Sequence, residues 1–228
     1  MSTVTSVDEI PSRHSKRPWL LIFTASEILL VYAGILYYIW RWQFTHPHLW
    51  IALAALVLLS HLAHRDTFHS LGLAKTGLRP AAEIVLPLAL VFYAPVIVYG
   101  FAHHSLALLR PNLRTLIALT GYAVWCLIQQ YLTQSYFHNR LARVIPNRHV
   151  SSLLVGFMFG SAHLPNPVLM VATSIGGFIF AEIFARHRNI WPLALAQAVG
   201  GFLLAAVSPA SLIHNMRVGP GYFFFGIH

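Results

Sequence analysis

The sequence predicts an all-α fold: a polytopic transmembrane helical bundle of about seven spans, within a range of six to eight. Three observations predict it. Of 228 residues, 57% are hydrophobic and 9% charged, and the mean hydropathy is +0.64, more apolar side chain than one water-soluble core can enclose. The apolar residues gather in runs of about twenty, the length that crosses a bilayer as a helix. With the amino terminus in the cytoplasm and every run crossing, eleven Lys and Arg fall inside and four outside, the bias that sets membrane topology.

Residues 1–18 are polar and carry Arg13, Lys16 and Arg17. They read as a cytoplasmic tail, because the apolar run after them is too long for a signal peptide and no small-residue cleavage site ends it. The expected spans are 19–40, 49–64, 82–102, 113–137, 151–164, 168–185 and 190–206, the second and fifth being short for a full crossing. Connections are brief, and no repeat or linker interrupts them, so 19–207 is expected to be one transmembrane domain. The end, 208–228, joins a Gly219-Pro220-Gly221 turn to an aromatic block too short to span. It is expected to be an interfacial aromatic tail, the alternative being a lid over the bundle mouth. The single cysteine, Cys126, lies in an apolar run and reads as a packed core residue. The net charge of +9 is scattered among loops with no basic helix, which excludes a nucleic-acid partner and fits membrane lipid headgroups.

Polar residues inside such spans are costly and mark candidate sites. By helical rise, Gln130 lies about 15 Å from Arg140, His163 about 18 Å from Ser151 and Gln197 about 12 Å from Asn189, which brings three helices' polar groups to one level. Gln130 and Gln134 share a face, followed one turn later by His138. Glu27 reaches the same depth with no sequence-adjacent partner and is a candidate substitute base. Glu83 and Glu182, each four residues from Arg79 and Arg186, are expected to be interfacial ion pairs.

The segment Gln129-Gln130-Tyr-Leu-Thr-Gln134, the pair Phe159 and His163, and the stretch from Gly176 to Ala196 ahead of Gln197 resemble, in order and spacing, the CAAX-prenyl endopeptidase and bacteriocin-processing (CPBP, Abi) membrane proteins over roughly residues 70–207. That family typically shows EExxxR, then FxxxH, then HxxxN or HxxxD. Here only FxxxH is intact. Gln129 and Gln130 stand at the glutamates, Gln134 at the arginine, and Gln197 and Gly201 at the last motif's histidine and asparagine.

The resemblance implies an integral protein of the bacterial inner (plasma) membrane, with His163, Gln129 and Gln130 as its catalytic set and Gln134, Gln197 and Asn166 as substrate-binding groups. A glutamine can position a water but cannot take its proton near neutral pH. The expectation is therefore a CAAX-protease-like protein with an intramembrane polar cavity: either an endopeptidase-type hydrolase, or a non-proteolytic binder of a hydrophobic ligand or partner helix. The implied substrates are a lipid-modified peptide, a membrane segment or a prenyl-type lipid, and no cofactor is called for.

Fourteen histidines also raise a membrane metal oxygenase. His61, His64 and His69 fall at the opposite end of the expected bundle from His103 and His104, so they cannot converge, and no metal site is assigned.

Overall fold

A computed structural model describes residues 18–105 and 112–224; the expected tail 1–18 lies, but for Pro18, outside the described residues. The described elements are helical, as expected, with no strand among them. α1 (Pro18–Tyr37) runs on through a wide π turn, Tyr38–Trp42; α2 (Trp50–Ala63) follows a 3₁₀ turn, Pro47–Leu49; then come α3 (Leu78–Ala102) and α4 (Leu113–Gln130). A π-helical segment, Tyr131–His138, fuses α4 to α5 (Asn139–Val144), and α6 (Arg148–Ser161), α7 (Pro167–His187) and α8 (Trp191–Val207) complete the bundle. Two short helices, α9 (Ala210–Ile213) and α10 (Pro220–Phe224), close the described chain.

Asparagines start three of these helices, because a short side-chain amide can take up the first orphan N–H groups. Asn112 accepts from Thr115 N, Asn147 from His149 N and Val150 N, and Asn166 from Leu169 N. Pro167 follows directly in α7, at a position where a missing N–H costs nothing. α3 keeps two interior prolines, Pro87 and Pro95, which neighbouring helices make tolerable in apolar surroundings.

Each expected run becomes a helix, with shifted limits. Four rods are long and apolar enough to cross a membrane: Pro18–Trp42, Leu78–Ala102, Leu113–Val144 and Pro167–His187; Pro47–Ala63 and Trp191–Val207 are shorter apolar helices. The rod Leu113–Val144 outruns its expected end at 137, because the π segment keeps hydrogen bonding without interruption as far as α5. α6 starts at Arg148 and ends at Ser161, so His163 sits in the turn beyond it.

Two buried clusters hold the rods together. One joins Ile28 and Val31 of α1, Val57 of α2, Tyr136, Phe137 and Leu141, Val155 of α6 and Ala181 of α7. The other joins Ala81 and Val85 of α3, Ile183 and Phe184 of α7, and Ile190, Leu193 and Ala196 at α8. Outside, Ile22, Leu62, Leu90 and Phe157 are at least 65% exposed. An apolar surface of this kind is a liability in water and the natural face toward lipid.

Candidate functional site

Four glutamines from two helices form one hydrogen-bonded chain inside the bundle. Gln130 Nε2 donates to Gln197 Oε1 at 2.6 Å, Gln197 Nε2 donates to Gln129 Oε1, and Gln134 Nε2 donates to Gln130 Oε1 at 3.3 Å. Gln130 and Gln134 are fully buried. Each amide carries two donors and two acceptor lone pairs, so amides can chain without any proton being displaced. The end of the chain stays open: Gln134 Oε1 receives no hydrogen bond among the described residues, and neither do the two ring nitrogens of His138, which is 1% exposed and packs edge-on against Phe184.

His163 belongs to a neighbouring seam. Its Nδ1 lies 2.7 Å from the Phe159 carbonyl and 3.3 Å from Thr173 Oγ1. A carbonyl only accepts, so Nδ1 carries the proton and Nε2 is left as an acceptor. Gln129 precedes the end of α5 by as many residues as His163 follows the start of α6, so helical rise sets the two at similar depth. No hydrogen bond joins His163 to the amides among the described residues. The structure thus brings the glutamines together and leaves the histidine bonded to backbone and Thr173.

Asn166 is 0% exposed and fully engaged: besides starting α7, its Nδ2 donates to Ile213 O at 2.7 Å and to Arg217 O at 3.3 Å. Gly201, one turn beyond Gln197, faces Tyr122. A Cβ there would collide with the Tyr122 hydroxyl, so only glycine admits that ring. The same hydroxyl is hydrogen-bonded to the buried Cys126 thiol.

Glu27 is not partnerless; its partners come from distant sequence. Its carboxylate accepts from Ser60 Oγ, from Tyr136 Oη at 2.9 Å and from Arg140 Nε at 3.1 Å, and it pairs with His64 Nε2 at 2.9 Å. Arg140, 0% exposed, also pairs with Asp66 at 2.8 Å; Asp66 in turn holds Arg143 at 2.7 Å and His61 at 2.8 Å. Burial pushes the Asp66 carboxyl up, but hydrogen bonds from His61 and Arg140 and the charges of Arg140 and Arg143 outweigh it and hold the group below its usual value. Sequence reasoning missed this network. The available signal was His61, His64 and Asp66 sharing one helix end, with Arg140 and Arg143 on a single turn. Glu182 also departs from expectation: it pairs with Arg148 at 3.3 Å and His149 at 3.1 Å rather than with Arg186, because α6 packs along α7 and presents its first turn there. Arg79 and Glu83 pair as expected, at 2.8 Å.

An apolar cleft of about 250 Å³ opens between α3, α7 and α8, lined by residues that include Leu88, Phe92, Tyr93, Ile179 and Ala196. Tyr93 Oη donates to the Ala196 carbonyl at 2.6 Å, beside Gln197. Among the described residues no three His, Cys, Asp or Glu side chains converge into a set that could hold a metal ion.

Residues 111–203, the stretch holding the amide chain, His163 and most of the cleft, match the family model of type II CAAX prenyl endopeptidase Rce1-like proteins. No curated protein and no solved structure matches the chain. Over that stretch the chain is similar to type II CAAX prenyl endopeptidase Rce1-like proteins, and its all-helical bundle with four rods long and apolar enough to cross a bilayer is that of an integral membrane protein.

Proposed function

We propose that the protein binds a lipid-modified peptide, its apolar chain in the α3/α7/α8 cleft and its peptide groups against the glutamine chain, and that it does so without cleaving the peptide. The observation that carries this reading is the amide chain itself. It is neutral, hydrogen-bonded within itself but open at Gln134 Oε1, and free of carboxylate; it abuts the apolar cleft at Ala196, and Glu27, the deep carboxylate among the described residues, is committed elsewhere. Amides offer a peptide both donors and acceptors, yet none can take a proton from water near neutral pH. An apolar cleft beside hydrogen-bonding amides suits a chain that arrives already dissolved in the bilayer.

One observation favours hydrolysis as the second reading. Because Nδ1 of His163 is turned to the Phe159 carbonyl, Nε2 remains an oriented acceptor that could serve as a base.

The test uses the full chain in lipid nanodiscs with a fluorescent farnesylated peptide and its unprenylated twin, followed by binding and by mass spectrometry of the peptide. Binding of the farnesylated form alone, with no cleavage until Gln129→Glu is introduced, supports the binder. Cleavage by the native chain that disappears in His163→Ala supports the hydrolase. Gly176 lines the cleft, and a Cβ there meets nothing within 4 Å. Gly176→Leu should therefore fill the slot without moving the backbone and weaken binding. Equal binding of both peptides sinks the lipid-chain assignment.

A further inference from the structure

The chain beyond α8 turns back over the end of the bundle where His163 lies. Gly219 N donates to Leu164 O at 2.7 Å, and the buried Asn166 amide holds the Ile213 and Arg217 carbonyls, so two points of the 162–166 turn grip the returning chain. On its other side the chain rests on the end of α1: a Cβ at Gly219 would stand 2.9 Å from Ile39 Cγ2 and 3.0 Å from Ile39 O. His214 stacks on Tyr222 at 3.8 Å between ring centres and closes the loop on itself. Met216 reaches a second cleft, of about 360 Å³, whose lining includes Tyr122 and Gly201, one turn from Gln197.

The segment is held under strain. His214, Asn215 and Met216 have φ of 46°, 50° and 58°, three successive left-handed residues. Asparagine tolerates that region; histidine and methionine do so at a cost, and runs of such residues are avoided. The seated form therefore depends on its anchors, and any loss of contact favours release.

We propose that residues 208–224 are a gating strap that sets ligand class: seated, it covers the turn that carries His163 and keeps water-soluble peptides from that turn, and membrane-borne chains are left the α3/α7/α8 cleft. Its purpose rests on the ligand-cavity reading above; its mechanics do not. An interfacial belt anchored in headgroups would need no hydrogen bonds to the turn that carries His163, and this segment spends three there.

The test needs no ligand. In the full chain in nanodiscs, with Cys126→Ala as background, Ala162→Cys reports access of a charged, membrane-impermeant thiol reagent to the covered turn. Met216→Val cannot hold a left-handed backbone and should raise the labelling rate about ten-fold, while Met216→Gly relieves the strain and should lower it by about the same factor. Hydrogen exchange should find the Gly219 amide protected in the native chain and in Met216→Gly and unprotected in Met216→Val, with α7 protection unchanged in all three. Equal labelling across the three chains overturns the strap. If Met216→Val does not fold, Met216→Gly decides alone: labelling no slower than native overturns the proposal. Graded labelling without farnesylated-peptide binding would sink the ligand reading and leave the strap standing; binding with ungraded labelling would do the reverse.

Discussion

The network around Arg140 and the amide chain around Gln197 both bury polar groups between apolar helices, and they solve the problem in opposite ways. Around Arg140 the charges are matched, although Arg140 Nη1 and His61 Nε2 make no hydrogen bond among the described residues: two carboxylates, Glu27 and Asp66, face two guanidiniums, tied further by Ser60, His61, His64 and Tyr136. Around Gln197 the groups are neutral, interchangeable as donors and acceptors, and incomplete at Gln134. A matched ionic set is intolerant of losing a member, because the group left behind is an uncompensated buried charge. An amide chain can re-pair with whatever enters. The contrast separates a clamp from a receptive surface.

The largest test strikes the clamp. Arg140→Leu leaves Glu27 and Asp66 without their shared cation and should cost about 3–5 kcal/mol, read as a large drop in thermal midpoint in detergent or nanodiscs; a drop of only a degree or two would deny the network its structural role. Next comes the close fit of α4 to α8. Gly201→Ala should destabilise by about 1–3 kcal/mol, and Tyr122→Phe in the same chain should recover most of that loss, since the hydroxyl is the colliding group.

Acid should reach the clamp before the amides. The Asp66 carboxyl sits below its ordinary value of 3.8 in the fold. Its contribution is therefore complete above that value and is lost as pH falls through the lower folded value. Midpoints measured from pH 6 down to pH 3 should fall at the acid end, and Asp66→Asn should flatten that limb; an unchanged limb would assign the acid sensitivity to other carboxyls. The smallest expected effect is Gln130→Leu. An interhelical amide bond in a membrane bundle contributes about 0.6–1 kcal/mol, so stability should barely move while farnesylated-peptide binding falls. A loss comparable to that of Arg140→Leu would erase the distinction between clamp and receptive surface.

Much of this was legible in the sequence, for identifiable reasons. Hydropathy marks every rod, since lipid-facing and core-facing positions alike must be apolar. Helical spacing puts Gln130 and Gln134 on one face, and the motif order brings Gln197 to them. Hydropathy carries no signal for the π-helical segment, because which side chains a turn holds does not say whether its backbone is wound as π or as α. Spacing within one helix could not find Arg140 for Glu27, as the pair is separated by 113 positions. Glu182 followed the same logic in reverse: its near neighbour Arg186 was the sequence-based choice, and helix packing gave it Arg148. The strap's grip on Leu164 and Asn166 depends on backbone carbonyls and amides, which every sequence possesses and none advertises.

The widened turn between α4 and α5 acts as a phase setter. A π turn carries one residue more than an α turn, so deleting one residue between Tyr131 and His138 would let the rod relax with its phase kept, whereas relaxing to ordinary α geometry with every residue kept would rotate its two halves against each other by about 100°. With Arg140 moored by its ions, the half that turned would be the one bearing Gln129 and Gln130, which would swing away from Gln197. A single wide turn buried in the bilayer thus keeps the two polar regions in angular step.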